Sequence, residues 1–299
     1  MAAARSRSTF AALAIVAAGA LGIGATQSGL QRNVHEIRQR DDVFFLPPPR
    51  ELRAMTLGYR AAVADMLWAK LVLEYGLHWQ EKRAFPEITR YIDGIIAIEP
   101  DHPTLYTFVD TLLVYSPTGG KIEDVRRARE YLRRGSRERP YDPMVWLHLG
   151  QFEAFLAPSF LEDEKEIEAW RRDGALAIAH AVELGAEPDR ALAASTILNK
   201  AGEHEAAVKS LERAYAVAPE NSDARLQIML KLQKLNAGFE AEQSVAVVER
   251  DRKAWYPHLT RGQALLVGPH RKTAACAGPI SFDEARCPTD WDDAIQHQK

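Results

Sequence analysis

The chain of 299 residues predicts an all-α fold of stacked helix pairs. Three observations carry that reading. Apolar residues recur at three- and four-residue steps in one segment after another, the spacing of a single helix face. Sixteen prolines are spread along the chain, mostly where such a segment would start or stop. No alternating polar and apolar run of useful length marks a strand. The composition, 46% hydrophobic and 26% charged, is that of a folded protein, and a formal net charge of −3 gives no reason to expect nucleic acid as a partner.

The chain opens on an address. Arg5 and Arg7 precede an uncharged run, Ser8–Gln31, whose apolar part is Phe10–Ala25. This pattern reads as a signal anchor or signal peptide over residues 1–31. The run is short for a membrane span, which needs about 20 apolar residues. Ala20 and Gly22 suit cleavage, but an uncleaved anchor is preferred, and no cysteine follows for a lipid anchor. Residues 32–50 form a linker, ending in Val43–Leu46 and the stiff Pro47–Pro49.

Residues 51–256 carry the helix pairs. The first pair is a long helix, Arg50–Gly76, followed by Phe85–Ile98 with Ile88, Ile92 and Ile95 on one face. Asp65 sits among apolar residues beside Trp68, a place for a structural ion pair with Arg60 or Lys70. The second pair starts at Pro103, breaks at Ser116–Gly120 and resumes from Ile122 to about Glu138. There is no phosphate loop at Gly119-Gly120-Lys121, because the full glycine spacing and a preceding strand are both missing. A third pair opens at Asp142-Pro143, passes through an insertion from Ala157 to about Lys165, and closes with Ile167–Leu184. The fourth comprises Arg190–Lys200 and His204–Val217, with Gly202 accepting the left-handed φ of a helix terminus. The fifth covers Ser222–Leu235 and Phe239–Ala254, with Leu226, Met229, Leu230, Val245 and Val248 expected in the core.

The spacing Gly202, Ala207, Leu211, Ala214, Pro219 resembles the second half of a tetratricopeptide repeat, although the aromatic positions of its first helix hold Ala191 and Leu198. Trp146, Leu149 and Gly150 are similar to the start of such a repeat. The resemblance implies a right-handed superhelix of about four to five stacked helix-turn-helix repeats, with a groove lined by the first helix of each pair. In this family the groove holds segments of other proteins. Gln151, Phe155, Thr196, Asn199 and Lys200 are the candidate groove residues.

Two charged stripes remain. The helix around Val125–Arg139 carries seven arginines, and Glu162–Glu166 is largely acidic, so the two could attract one another within the stack. The tail, 257–299, is loop-rich and holds both cysteines. Cys276 and Cys287 have the spacing of a small disulfide loop, which would place the bulk of the chain outside the cytoplasm. A haem motif is absent, a metal site lacks ligands beyond His270, and no catalytic set of residues is marked. The sequence therefore reads as a membrane-anchored scaffold without enzymatic activity or cofactor, binding other proteins in an envelope assembly. The alternatives are a permanent structural subunit of a larger membrane complex and, further off, a helical-repeat enzyme.

Overall fold

The structure, a computed structural model, describes residues 46–116, 118, 120–270 and 291, together with 16, 18, 19, 21, 22, 24, 26 and 27. The chain divides into two compact units, Met1–Pro47 and Pro48–Lys299. In the first unit the described residues between 16 and 27 are helical and exposed. The anchor expected at 1–31 is not supported. Among the described residues no helix is long and apolar enough to cross a membrane, and most of that segment lies outside them. The membrane-anchored scaffold, its placement outside the cytoplasm, its contact with the membrane and the membrane-complex subunit reading are set aside with it. Cys276 and Cys287, with the disulfide expected between them, also lie outside the described residues.

The second unit is all-helical among its described residues. In order, the helices are α1 (Pro49–Met55), α2 (Arg60–Glu81), α3 (Ile88–Ile98), α4 (Pro103–Val114), α5 (Ile122–Glu138) and α6 (Pro143–Gln151). A π-helical turn (Phe152–Leu156) and a 3-10 turn (Ala157–Phe160) lead into α7 (Glu164–Glu183). Then come α8 (Arg190–Lys200), α9 (His204–Val217), α10 (Asp223–Lys234), α11 (Gly238–Trp255) and α12 (Arg261–Val267). From α2 onward each helix packs on the next, α1 packs on α3, and α4 also meets α6, α7 meets α9, and α8 meets α10. Contacts between both consecutive and alternate helices give a helical-repeat-like arrangement.

Local chemistry sets the helix ends. Proline occupies the first turn of α4 and α6, where its missing N–H costs nothing. Asp142 caps α6 by accepting from the Met144 and Val145 N–H groups, and Ser222 caps α10 by accepting from Arg225 N–H. Gly202, at φ 85°, turns the chain from α8 into α9.

Three boundaries differ from the sequence reading. Helix α2 does not stop at Gly76 but runs on to Glu81, and the break falls earlier, at Leu57 (φ 48°) and Gly58 (φ 93°). What reads as one long helix is therefore α1 followed by α2. In the fifth pair the buried residues of α10 are Ile228 and Leu232, while Leu226 and Leu230 are exposed. The inward face thus lies one step away from the one expected. The tail is not loop alone: it includes α12, and the Trp291 indole N–H donates to Leu265 O at 3.1 Å while its ring packs with Val248.

Small side chains hold the stack together. Ala175, Ala181, Ala194 and Ala207 form one core with Leu147, Ile178 and Leu198. A second joins Ala191, Ala214, Ala218 and Ala241 to Leu211, Ile228 and Leu232. The tightest crossing is α6 on α7. A Cβ added to Gly150 would lie 2.6 Å from Ile178 Cγ1, and one added to Gly174 would lie 2.5 Å from the Ala154 backbone nitrogen. Backbone atoms cannot swing aside as a flexible side chain does. Gly174→Ala should therefore cost about 1–3 kcal/mol through overpacking, overriding the gain of up to about 1 kcal/mol that alanine brings to a helix interior. Chemical denaturation checks this: a lower midpoint than the parent is the expected result.

Candidate functional site

An open cleft of about 820 Å³ lies where the π turn, α7 and α8 meet. Its walls come from Ala154 and Phe155 of the turn, from Lys165, Glu168, Ala169, Arg171 and Arg172 of α7, and from Ile197, Lys200 and the adjoining Ala201 of α8. Four of these side chains are cationic and one, Glu168, is anionic. Arg172 is partly engaged, 3.6 Å from Asp173 Oδ1 and 3.8 Å from Glu203 Oε1. The surface is thus positively biased, with an aromatic ring at its edge.

The π turn explains that ring. The Ala157 N–H reaches back five residues to Phe152 O, one residue further than an α-helix allows. The extra residue lets Phe152, Glu153 and Ala154 all be buried while Phe155 stands 55% exposed. Exposing one phenylalanine beside three consecutive buried residues is a local departure from ordinary helical periodicity.

Beside the cleft residue Ala154, the buried carboxylate of Glu153 is paired through one of its oxygens. Its Oε1 accepts from Arg129 Nε at 2.5 Å and Arg133 Nε at 2.8 Å, and the Nη2 atoms of the same arginines donate to Asp173 Oδ2 at 3.0 and 2.8 Å. The Arg129 guanidinium also lies 3.9 Å from the centre of the Trp170 ring. Arg126 pairs with Glu166 at 3.1 Å. The arginine-rich face of α5 is therefore turned largely toward its own neighbours, including the acidic insertion. A buried pair of this kind fixes geometry more surely than it adds net stability.

The residues proposed from sequence separate into two groups. Phe155 and Lys200 line the cleft. Gln151 is half-buried at the end of α6. Thr196 donates to Leu192 O at 2.8 Å and accepts from Lys231 Nζ at 3.3 Å, which ties α8 to α10. The Asn199 side-chain oxygen is 3.0 Å from His204 Nδ1, across the α8–α9 turn. Sequence reasoning missed Lys165, Arg171 and Arg172. The Arg171-Arg172 pair two turns beyond an exposed lysine was the available signal.

Asp65 meets neither Arg60 nor Lys70 but His102. The buried His102 ring accepts from Leu105 N–H at Nδ1, capping α4, and its Nε2 lies 3.2 Å from Asp65 Oδ1. Since Nδ1 accepts, Nε2–H is the donor. Among the described residues, no three His, Cys, Asp or Glu side chains gather as a metal ion would need.

A carboxylate the sequence did not flag is Asp110 on α4. Its Oδ1 is buried and lacks a hydrogen-bond partner among the described residues. Burial raises its pKa above the usual 3.8, against the opposing pull of the Thr111 N–H and of His148 on α6. A carboxyl with a raised folded-state pKa costs the fold stability at neutral pH; that penalty is absent below the unfolded value, grows as pH rises from the unfolded to the folded value, and is complete above it. Asp110→Asn should accordingly stabilise the protein at pH 7, on the order of 1 kcal/mol, with the advantage vanishing as the pH falls below about 4. Paired thermal melts of the two proteins across that range measure the difference.

Compared with family models, curated proteins and solved structures, the chain matches none. Its identification as a tetratricopeptide-repeat protein is thereby corrected to the coarser result: an all-helical domain with repeat-like packing.

Proposed function

We propose that the chain is a non-catalytic helical-repeat module whose cleft binds an extended, carboxylate-bearing ligand with at least one apolar group. The observation that carries this is the convergence of Lys165, Arg171, Arg172 and Lys200 with the exposed ring of Phe155 on one open surface. Cations on separate elements offer several anchor points along a chain-like anion, and they attract it at long range before contact. Phe155, Ala169 and Ile197 supply the apolar contact that gives register. Glu168 is the one feature that repels an anion, so it selects against a uniformly charged ligand. In this reading the five pairs α2–α3 through α10–α11 are successive turns of a right-handed superhelix. Contacts between alternate helices support that, since a stack of hairpins produces them.

A short fluorescent peptide of glutamate and aspartate residues carrying one leucine or phenylalanine is the simplest probe. Anisotropy titration should give saturable binding that weakens as salt rises. Lys200→Glu should weaken it roughly tenfold or more, and Phe155→Ala should weaken it with little change in salt dependence. Both positions are exposed, so folding is expected to survive, and a thermal melt verifies it. No binding to the parent protein, or affinity indifferent to both substitutions, overturns the reading.

A further inference from the structure

We propose that α2 is a dimerisation helix, pairing antiparallel with α2 of a second copy of this chain. The first observation is that α2 is apolar on two opposite faces. Ala64, Leu71 and His78, seven residues apart, are buried against the rest of the unit. On the flank toward α4, the Tyr75 hydroxyl donates to Thr111 O at 3.3 Å, and the Trp68 ring lies 5.9 Å from that of Phe108. The face opposite the buried one carries Tyr59 at the helix start, Met66, Leu73 and Leu77, which are 75%, 72%, 69% and 41% exposed. An end helix of a repeat stack ordinarily turns a polar face to solvent, and a contiguous apolar face marks an interaction surface.

The second observation is the order of residues along that face. Tyr59, Ala62, Met66, Ala69, Leu73 and Gly76 follow one another at alternating steps of three and four, the seam spacing of a coiled coil. Large and small residues alternate. When two copies of this face are laid antiparallel, with the twofold axis between Met66 and Ala69, Tyr59 falls opposite Gly76, Ala62 opposite Leu73, and Met66 opposite Ala69. Every large side chain meets a small one, in a single register. A face that complements itself about a twofold axis is what an isologous dimer requires.

Gly76 supplies a third, independent point. A glycine inside a helix destabilises it relative to alanine. Yet a Cβ at Gly76 would meet nothing within 4 Å among the described residues. No described neighbour uses its smallness, and the proposed register gives it a use: it receives the partner's Tyr59. The helix of 22 residues spans about 33 Å, enough for all six layers. Asp65 and Lys70, both exposed, border the seam without interrupting it.

Sedimentation equilibrium of the full chain over a range of micromolar concentrations tests the proposal. A reversible monomer–dimer equilibrium is expected. Leu73→Glu should weaken it by at least about tenfold without lowering the thermal midpoint measured at concentrations where the parent is monomeric, because the position is exposed in the monomer. Ala69→Met should also weaken it, by filling the hole that receives Met66. The double variant Met66→Ala with Ala69→Met exchanges large for small across the same layer and should restore the dimer. A chain that is monomeric at every concentration, as it would be if another protein covered α2, overturns the proposal. So does a dimer indifferent to Leu73→Glu and Ala69→Met. Failure of the double variant to restore association overturns the register.

Discussion

The close approach of α6 and α7 is the contact from which the centre of the molecule is laid out. Gly150 and Gly174 remove the side chains that would hold the two helices apart, so backbone meets backbone. The π turn follows immediately and carries Phe152, Glu153 and Ala154 into the interior. From that turn come both the ring that edges the cleft and the acid beside it.

Charge is then distributed in two ways. The arginines of α5 serve the interior: Arg129 and Arg133 neutralise Glu153 and Asp173, and Arg126 reaches Glu166. The cations of α7 and α8 line an open surface, with Glu168 among them and Arg172 only loosely engaged by Asp173 and Glu203. A protein with a formal net charge of −3 thus still gathers four cationic side chains against one anionic on the lining of a single cleft.

The helix pairs were legible because apolar spacing, proline and glycine report helix faces and ends directly. Arg190–Lys200 and His204–Val217 match the sequence reading residue for residue. The break before α2 was hidden because Leu57, a residue that rarely takes positive φ, occupies the turn. The inward face of α10 was misread because Leu226, Ile228, Leu230 and Leu232 alternate, leaving two apolar candidates for each inward position. Phe155 was found and Arg171 and Arg172 were not, since the packing of the π turn on α7 that brings them together leaves no mark on local spacing. The expected anchor rested on two arginines ahead of a short apolar run, and no described helix supports it.

The Glu153 cluster also bears on how the protein comes apart. Arrays of helix pairs ordinarily open pair by pair, since each touches only its neighbours. Here one carboxylate from the third pair is held by two arginines from the second, and a second carboxylate on α7 completes the square. Separating these pairs breaks four charge-assisted hydrogen bonds but also returns two arginines and two carboxylates to water, so the cluster sets how the second pair sits on the third more than it adds to their cohesion. Because these bonds share one oxygen of Glu153 and one of Asp173, they are lost together when the second pair leaves the third.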